Sequence, residues 1–407
     1  MKRSDLPSLL LLPFPPDPSD RQLLSAAYRP SLAAALSKLK SNDGASQLIV
    51  AVACPVLHGP FARSKTFSWP EVQSLVADLY KLISTLCAHL AIPTELDGGP
   101  GSVDATILLL DHDRQTRFPA NFKPSIQSNS TIVVDLPTFA RAYHPWNNIF
   151  HVRSELGLQL YQTYLRFAEG KQTLLQDQLI PVEGGLTMMN MAPKASPSPS
   201  SQTSGYSVVC LGGTFDYLHP GHKLLLTAAA MLLHVPPKDS TDSCLFIIGV
   251  TGDELLKNKK YAELVQSWEQ RARNVIVFLS RLLNLSENGW KYGMAPSIQE
   301  KDGDFQASFR EGRIRVQCVK IQDPFGPTIT VENVDALVVS GETRSGGQAV
   351  NDKRAEQGWR ALQVYEVDVL DAEDISDGGT KTENFASKIS SSVIRQQRAQ
   401  AKADSKI

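Results

Sequence analysis

The sequence predicts two α/β halves, the second built on a parallel sheet with helices on both faces. Short apolar runs alternate with helical periodicities along most of the 407 residues. Midway, the stretch MAPKASPSPSSQTSG at 191–205 breaks the pattern with Pro, Ser, Thr and Gly. Such a composition cannot bury enough apolar surface to offset its ordering entropy, so it reads as a linker. The first apolar run beyond it ends in two glycines and passes into a helix signal, as a strand–turn–helix unit would. The expected division is an N-terminal α/β domain over 1–190, the linker over 191–205 and a second domain over 206–400.

In the first half QLIVAVACPV reads as a buried strand. Residues 69–91 place Val72, Val76, Leu79, Ile83, Leu86 and Leu90 on one helical face. ATILLLDHD and TIVVDLP follow as strands, and VRSELGLQLYQTYLRFAE as a helix. Asp111–Asp113 fall at a strand end and read as a turn rather than a metal site. YHPWNNIF reads as a loop anchored to the core by its aromatic residues. This half has no GxxxxGK[ST] loop, no paired-cysteine spacing and no GxSxG elbow, so its sequence assigns it no activity.

After the linker, YSVVCLGG is a strand, PGHKLLLTAAAMLL a helix, CLFIIGV a strand and SWEQRARNVIVFLSRLL a helix. RIRVQCVKI, DALVVSG and LQVYEVDVL then read as further strands. The polar stretches 284–312 and 371–387 are expected as long loops. A formal net charge of -1 supplies no global field for gripping nucleic acid, so phosphate binding must be local. The five cysteines are odd in number and sit mostly in apolar runs, as reduced core residues do. The apolar run near the start is short and interrupted by Pro7 and Pro13, and no run reaches membrane-spanning length. A cytoplasmic protein with neither membrane nor nucleic-acid partner is expected.

The chemistry concentrates in GGTFDYLHPGH, residues 212–222. Gly212 and Gly213 end a strand and leave amide donors uncovered. Pro220 suits a first helical turn, which puts His219 at the helix mouth and His222 inside that turn. A helix N-terminus carries orphan amides and partial positive charge, a cradle for phosphate. A zinc site lacks further ligands at the required spacing, Asp216 being a weak one. Capping and packing alone would leave the convergence of glycines, Thr214 and helix mouth without a purpose.

This motif resembles the HxGH signature of the nucleotidyltransferase superfamily, with its upstream Gly-Gly-Thr-Phe-Asp. Over roughly 206–400 the chain is similar to the eukaryotic and archaeal type of phosphopantetheine adenylyltransferase. GVTGDELLKNKK resembles that family's lysine-bearing segment and EQRARNVIVFL its following helix. IQDPFGPTI resembles its Asp-Pro-aromatic-Gly-Pro loop, VVSGETRSGGQAVNDKRAEQGW its Ser-x-Glu-Thr segment, and KISSSVIRQ its ISSSxxR motif. The resemblance implies a Rossmann-like parallel-sheet nucleotidyltransferase domain. It also implies transfer of the adenylyl group of ATP to 4'-phosphopantetheine, giving dephospho-coenzyme A and pyrophosphate. ATP would arrive with Mg²⁺, and no tightly bound prosthetic group or protein-held metal is expected.

Carried onto this chain, the resemblance gives His222 to the α-phosphate in the transition state, His219 to the triphosphate and Thr214 to the attacking phosphate. Lys257, with Lys259 second, would neutralise phosphate charge; spacing does not separate them. Gly212, Gly213 and Phe215 would border the nucleotide. Ser390, Ser391 and Ser392 would present amides to the β- and γ-phosphates while Arg395 closes over them. Arg354 would contact the nucleotide, and Asn351 and Thr343 match the same segment. Asp323, Pro324, Phe325 and Gly326 would wrap the pantetheine arm, or form a rigid turn.

Two other readings compete. A CTP-dependent cytidylyltransferase acting on a phosphorylated alcohol would carry Arg-Thr-x-Gly before its serine motif, where this chain has ENFASKISSS. A non-catalytic scaffold for coenzyme A enzymes, acting through the first domain, would not need the phosphate-binding residues. No kinase loop follows the transferase half, so the resemblance leaves phosphorylation of dephospho-coenzyme A to a separate enzyme.

Overall fold

The structure, a computed structural model, describes residues 5–17, 20–57, 66–96, 98–113, 131–142, 144–186, 202–284, 296–370 and 390–404. It divides into two compact units. One centres on Met1–Gly205, the other on Tyr206–Leu233, Ser240–Ser280 and Ala295–Ile407.

The first unit runs β1 (Ser8–Leu12), α1 (Arg21–Lys40), β2 (Ser46–Ala53), β3 (Phe67–Ser68), α2 (Trp69–His89), β4 (Val103–Asp111), β5 (Val133–Asp135), α3 (Leu136–Ala142), β6 (Ile149–Val152), α4 (Glu155–Ala168), β7 (Leu179–Val182) and β8 (Gln202–Thr203). Six strands pair in the order β5-β4-β2-β1-β6-β7, every neighbour parallel. Leu9–Leu12 of β1 have no exposure, as a strand covered on both faces requires. The predicted face of α2 is buried through Leu86, and Leu90 is its C-cap. Expectation missed β1, α1, β6 and β7: the LLLL run had been weighed only against a leader peptide, and IF of β6 lay inside the segment expected as a loop. The linker over 191–205 lies outside the described residues up to 201; Gln202–Thr203 pair with β3.

Asp111 closes β4 and accepts the amides of Val56 at 3.2 Å and Leu57 at 3.4 Å, holding the segment after β2. Burial raises its carboxyl to about 6 against the lowering effect of those bonds. The aromatic anchor beside His144 is also visible. Trp146 is buried and donates its Nε1–H to the Tyr164 hydroxyl at 2.7 Å, with Phe139 against both rings.

The second unit runs β9 (Val208–Gly213), α5 (Pro220–Met231), β10 (Cys244–Thr251), α6 (Trp268–Leu283), β11 (Ile298–Lys301), β12 (Asp304–Phe309), β13 (Ile314–Ile321), β14 (Ala336–Ser340), α7 (Arg344–Glu356), β15 (Gln363–Val367) and α8 (Ser391–Asp404). Its sheet order is β11-β12-β13-β10-β9-β14-β15. From β13 to β15 all pairs are parallel, and β11–β12 form an antiparallel hairpin on the β13 edge. This corrects the long loop expected over 284–312: alternation in DFQASF buries Phe305, Ala307 and Phe309 as a strand edge extension. Residues 285–295 and the expected loop 371–387 lie outside the described residues.

The parallel strands, numbered along the chain, stand in the order 3-2-1-4-5, so the winding reverses at β9. Ligands of such sheets bind beyond the carboxyl ends of the strands flanking that reversal, here β9 and β14. All five cysteines are buried and free. Among the described residues no helix is long and apolar enough to cross a membrane.

Trp146→Phe strands the buried Tyr164 hydroxyl and is expected to lower stability by about 1–3 kcal/mol in urea unfolding. Adding Tyr164→Phe removes the stranded group and should restore part of the loss; a fully additive double variant would show that the bond is not the cause.

Candidate active site at the carboxyl edge of the second sheet

Between β9 and α5 the chain turns through three non-glycine residues with positive φ, Phe215 (54°), Tyr217 (54°) and Leu218 (27°). Side chains rarely adopt this region, so neighbouring contacts must hold it. The Phe215 ring is fully buried, and a Cβ on Gly213 would stand 2.9 Å from its Cζ. Gly213 is therefore needed for the ring to tuck beneath the strand exit. Tyr217 donates its amide to Gln266 Oε1 at 2.8 Å and its hydroxyl to the Leu264 carbonyl at 2.6 Å.

His219 is the N-cap of α5, with extended backbone, and Pro220 is its first helical residue. The His219 and His222 rings stack with centroids 3.9 Å apart, and Phe215 tilts against His222 at 5.3 Å. A Cβ on Gly221 would lie 3.2 Å from His219 Cε1, so glycine leaves room for that ring. Among the described residues neither buried Nδ1 has a hydrogen-bond partner. Burial, reinforced by Lys223, pulls His219 down to about 3. Burial first, then His219 and Arg271, hold His222 well below the usual histidine range. Both rings are neutral at pH 7, each with one N–H donor, at the mouth of a helix.

Arg271 of α6 is fully buried beneath this turn. It donates to the carbonyls of Gln266, Thr214 and Thr251 at 2.9, 2.6 and 2.7 Å and to the Asp253 carboxylate at 2.6 Å. The main chain of Thr214 is thus fixed from below. Sequence reading passed over Arg271, although an arginine inside an otherwise apolar helix face was its visible signal. Lys257 is exposed and paired with Glu254, and Lys259 and Lys260 are exposed in the same segment.

The serine motif also reaches this place. Ser390 accepts the amides of Val393 and Ile394 on its carbonyl, and the Ser391 hydroxyl donates to the Asp216 carbonyl at 2.9 Å. Arg395 is buried against the Asp216 carboxylate and donates to the Lys260 carbonyl at 3.0 Å and Ser392 Oγ at 3.1 Å. Its expected closure over phosphate is corrected: the guanidinium faces inward. The same holds for Phe215, whose ring lies in the core.

Arg354 is corrected as well. With no exposure, it donates to the carbonyls of Arg360, Thr328, Val331 and Glu332 and lies over the Trp359 ring. It pins the segment after β13 instead of facing a nucleotide. Asp323 accepts the amides of Phe325 and Gly326, both at 2.8 Å. Gly326 has φ +50°, and a Cβ there would meet Ile321 Cγ2 at 2.5 Å. Pro324 is exposed, while Phe325 packs on the core around Cys210 and Ile247. The loop is a rigid turn whose exposed rim is Asp323 and Pro324. Asn351 exchanges two hydrogen bonds with the Leu362 backbone, and Thr343 bonds the Ser340 carbonyl, so both shape α7 and its entry. Gly212, Gly213, Thr214, His219, His222 and Ser390–Ser392 converge on one edge.

Neutral histidines have a pH consequence. The folded chain holds both pKa values below the unfolded value of about 6.5, so the unfolded chain binds the extra protons. Stability should therefore fall as pH drops from about 6.5 toward about 3. NMR imidazole signals, assigned with His219→Asn and His222→Asn, should stay neutral from pH 8 to 5; titration near 6.5 would contradict the buried geometry.

Residues 1–188 match a family described as a domain of unknown function, and residues 210–397 match the cytidylyltransferase-like family. A phosphopantetheine adenylyltransferase of Saccharomyces cerevisiae is 34% identical over 190 residues, 47% of this chain and 48% of that protein. The match thus spans about half the length of the yeast relative. A phosphopantetheine adenylyltransferase of Pyrococcus abyssi is 31% identical over 190 residues, 47% of this chain and 89% of that protein. A crystal structure of a protein of unknown function from Archaeoglobus fulgidus shares 32% identity, covering 39% of this chain and 97% of that one, with a TM-score of 0.26. Through its second half, this chain belongs to the phosphopantetheine adenylyltransferase family of cytidylyltransferase-like nucleotidyltransferases.

Proposed function

We propose that residues 206–400 transfer the adenylyl group of ATP to 4'-phosphopantetheine, releasing pyrophosphate and forming dephospho-coenzyme A. The observation that carries this reading is the pair of neutral, stacked histidines at the mouth of α5, beyond the strand where the winding reverses. The nucleophile is a phosphomonoester with a second pKa of about 6, already mostly dianionic at pH 7. It needs no general base. The chain has to align it with the α-phosphorus and offset the charge that gathers there.

Each residue type fits that task. His222 donates to α-phosphate oxygens, His219 to the triphosphate, and Thr214, its carbonyl fixed by Arg271, faces the attacking phosphate. A neutral donor releases no proton into the reaction, yet its hydrogen bond strengthens as the oxygens gain charge. The uncovered amides at Gly212, Gly213 and the start of α8 serve the nucleotide phosphates. Lys257 and Lys259 supply mobile positive charge at the rim. Asp216 and Asp253 are committed to Arg395 and Arg271 and do not form a cage for Mg²⁺. Mg²⁺ would travel on the ATP oxygens and there offset the charge of the departing pyrophosphate.

The test is pyrophosphate release by the full-length protein with Mg²⁺ and 4'-phosphopantetheine, comparing ATP with CTP. ATP should be preferred, and His222→Ala should lower kcat about 100-fold or more. A folded wild-type protein that releases no pyrophosphate would overturn the reading, and preference for CTP would move it to a cytidylyltransferase. The acid limb of kcat/KM should lie near the second phosphate pKa of about 6, because the histidines are already neutral there. An unchanged limb in His219→Asn, on a lower maximum, would agree; a shifted limb would assign it to the imidazole.

A further inference from the structure

We infer that Asp216 and Arg395 are a positioning pair, through which α8 locks the HxGH turn and the lysine segment into one geometry; this rests on the transfer reading above. Neither side chain can touch substrate as placed, since their side-chain exposures are 0% and 3%. Their bonds nevertheless run to each moving part of the site. Arg395 meets the Asp216 carboxylate in the turn, the Lys260 carbonyl in the lysine segment, and Ser392 in its own helix. The other Asp216 oxygen accepts the Gln266 amide at 3.0 Å, and Gln266 Oε1 accepts the Tyr217 amide. The Asp216 carbonyl accepts Ser391 Oγ. Arg398, one turn further along α8, lies over the Tyr217 ring at 4.5 Å.

The mechanical sense follows from the side chains being placed. Lys257 and Lys259 reach phosphate from long, exposed stems, so their useful charge depends on where their backbone is held. That backbone leads into Lys260, whose carbonyl Arg395 grips. His219 and His222 depend on a turn with left-handed residues on either side of Asp216, the one acidic residue within it. A single guanidinium therefore sets the distance between the histidine donors and the lysines. Transfer in line requires that distance to be kept while charge moves from nucleophile to pyrophosphate.

The experiment compares full-length wild type with Arg395→Lys, Arg395→Met, Asp216→Asn and the Asp216→Asn/Arg395→Met double variant. Three quantities are read: kcat and KM for ATP in pyrophosphate release, amide hydrogen exchange of 214–218 and 257–261 without substrate, and the folded fraction by circular dichroism. Arg395→Met should lower kcat about 30-fold or more with little change in KM, and speed exchange in both segments. The double variant should be no worse than the poorer single variant. Arg395→Lys keeps a charge opposite Asp216 but loses the fork to Lys260. It should recover part of kcat and protect 214–218 while 257–261 still exchanges fast, and it carries the test if Arg395→Met does not fold. A tenfold or larger rise in KM with unchanged exchange would instead make Arg395 a phosphate contact. Unchanged kcat per folded molecule would reduce the pair to scaffold. If wild type releases no pyrophosphate, the transfer reading fails alone, and the exchange data still decide whether α8 locks the two segments.

Discussion

A carboxylate with no access to water shapes the second unit. Burying an ion costs several kcal/mol unless opposite charge and hydrogen bonds replace its hydration. Asp216 therefore demands partners, and it finds them in Arg395 from the far end of the chain and in the Gln266 amide from the segment before α6. Once these are fixed, the turn around it has little freedom. The left-handed conformations of Phe215, Tyr217 and Leu218 would each cost on the order of 1–3 kcal/mol in isolation. They persist because a buried ring, a tyrosine hydroxyl and a glutamine side chain hold them from three sides.

From that constraint the charges of the site fall into layers. Arginines lie inside, spent on carbonyls and carboxylates; lysines lie at the rim; neutral histidines stand between. Arg271 does not reach the cleft, yet its charge contributes to holding His222 unprotonated. This arrangement separates two tasks that a single cationic cluster would merge. The interior charges fix backbone, and the surface charges follow the substrate. The histidines stay neutral donors until phosphate oxygens arrive to strengthen their bonds.

Legibility in the sequence tracked how local each interaction is. The glycine-ended strand, Pro220 at the head of α5 and His219 at its mouth follow from nearest-neighbour backbone chemistry, and all were readable. So was the buried face of α2. The inward turn of Arg395 was not, because its partner Asp216 is 179 residues away. Arg354 failed similarly: its acceptors are bare carbonyls, which leave no mark in the residue pattern. The hairpin β11–β12 was taken for loop since its exposed face is charged and its buried face carries only alternate residues. β1 was hidden by the opposite property, an unbroken apolar run without periodicity.

Winding alone does not make a phosphate site, and the two sheets of this chain show why. Both start in mid-sheet and reverse beside their first strand, β9 in the second unit and β1 in the first. After β9 come glycines, free amides and a helix mouth lined by histidine. After β1 comes Pro13-Phe14-Pro15-Pro16, and three of those four residues have no amide hydrogen to offer an anion. Phe14 stacks on His112 there, with ring centroids 6.2 Å apart. The same topology thus ends in a polar cradle in one unit and a proline and aromatic edge in the other. The parallel order supplies a crevice; the residue types after the first strand decide whether phosphate can be held in it.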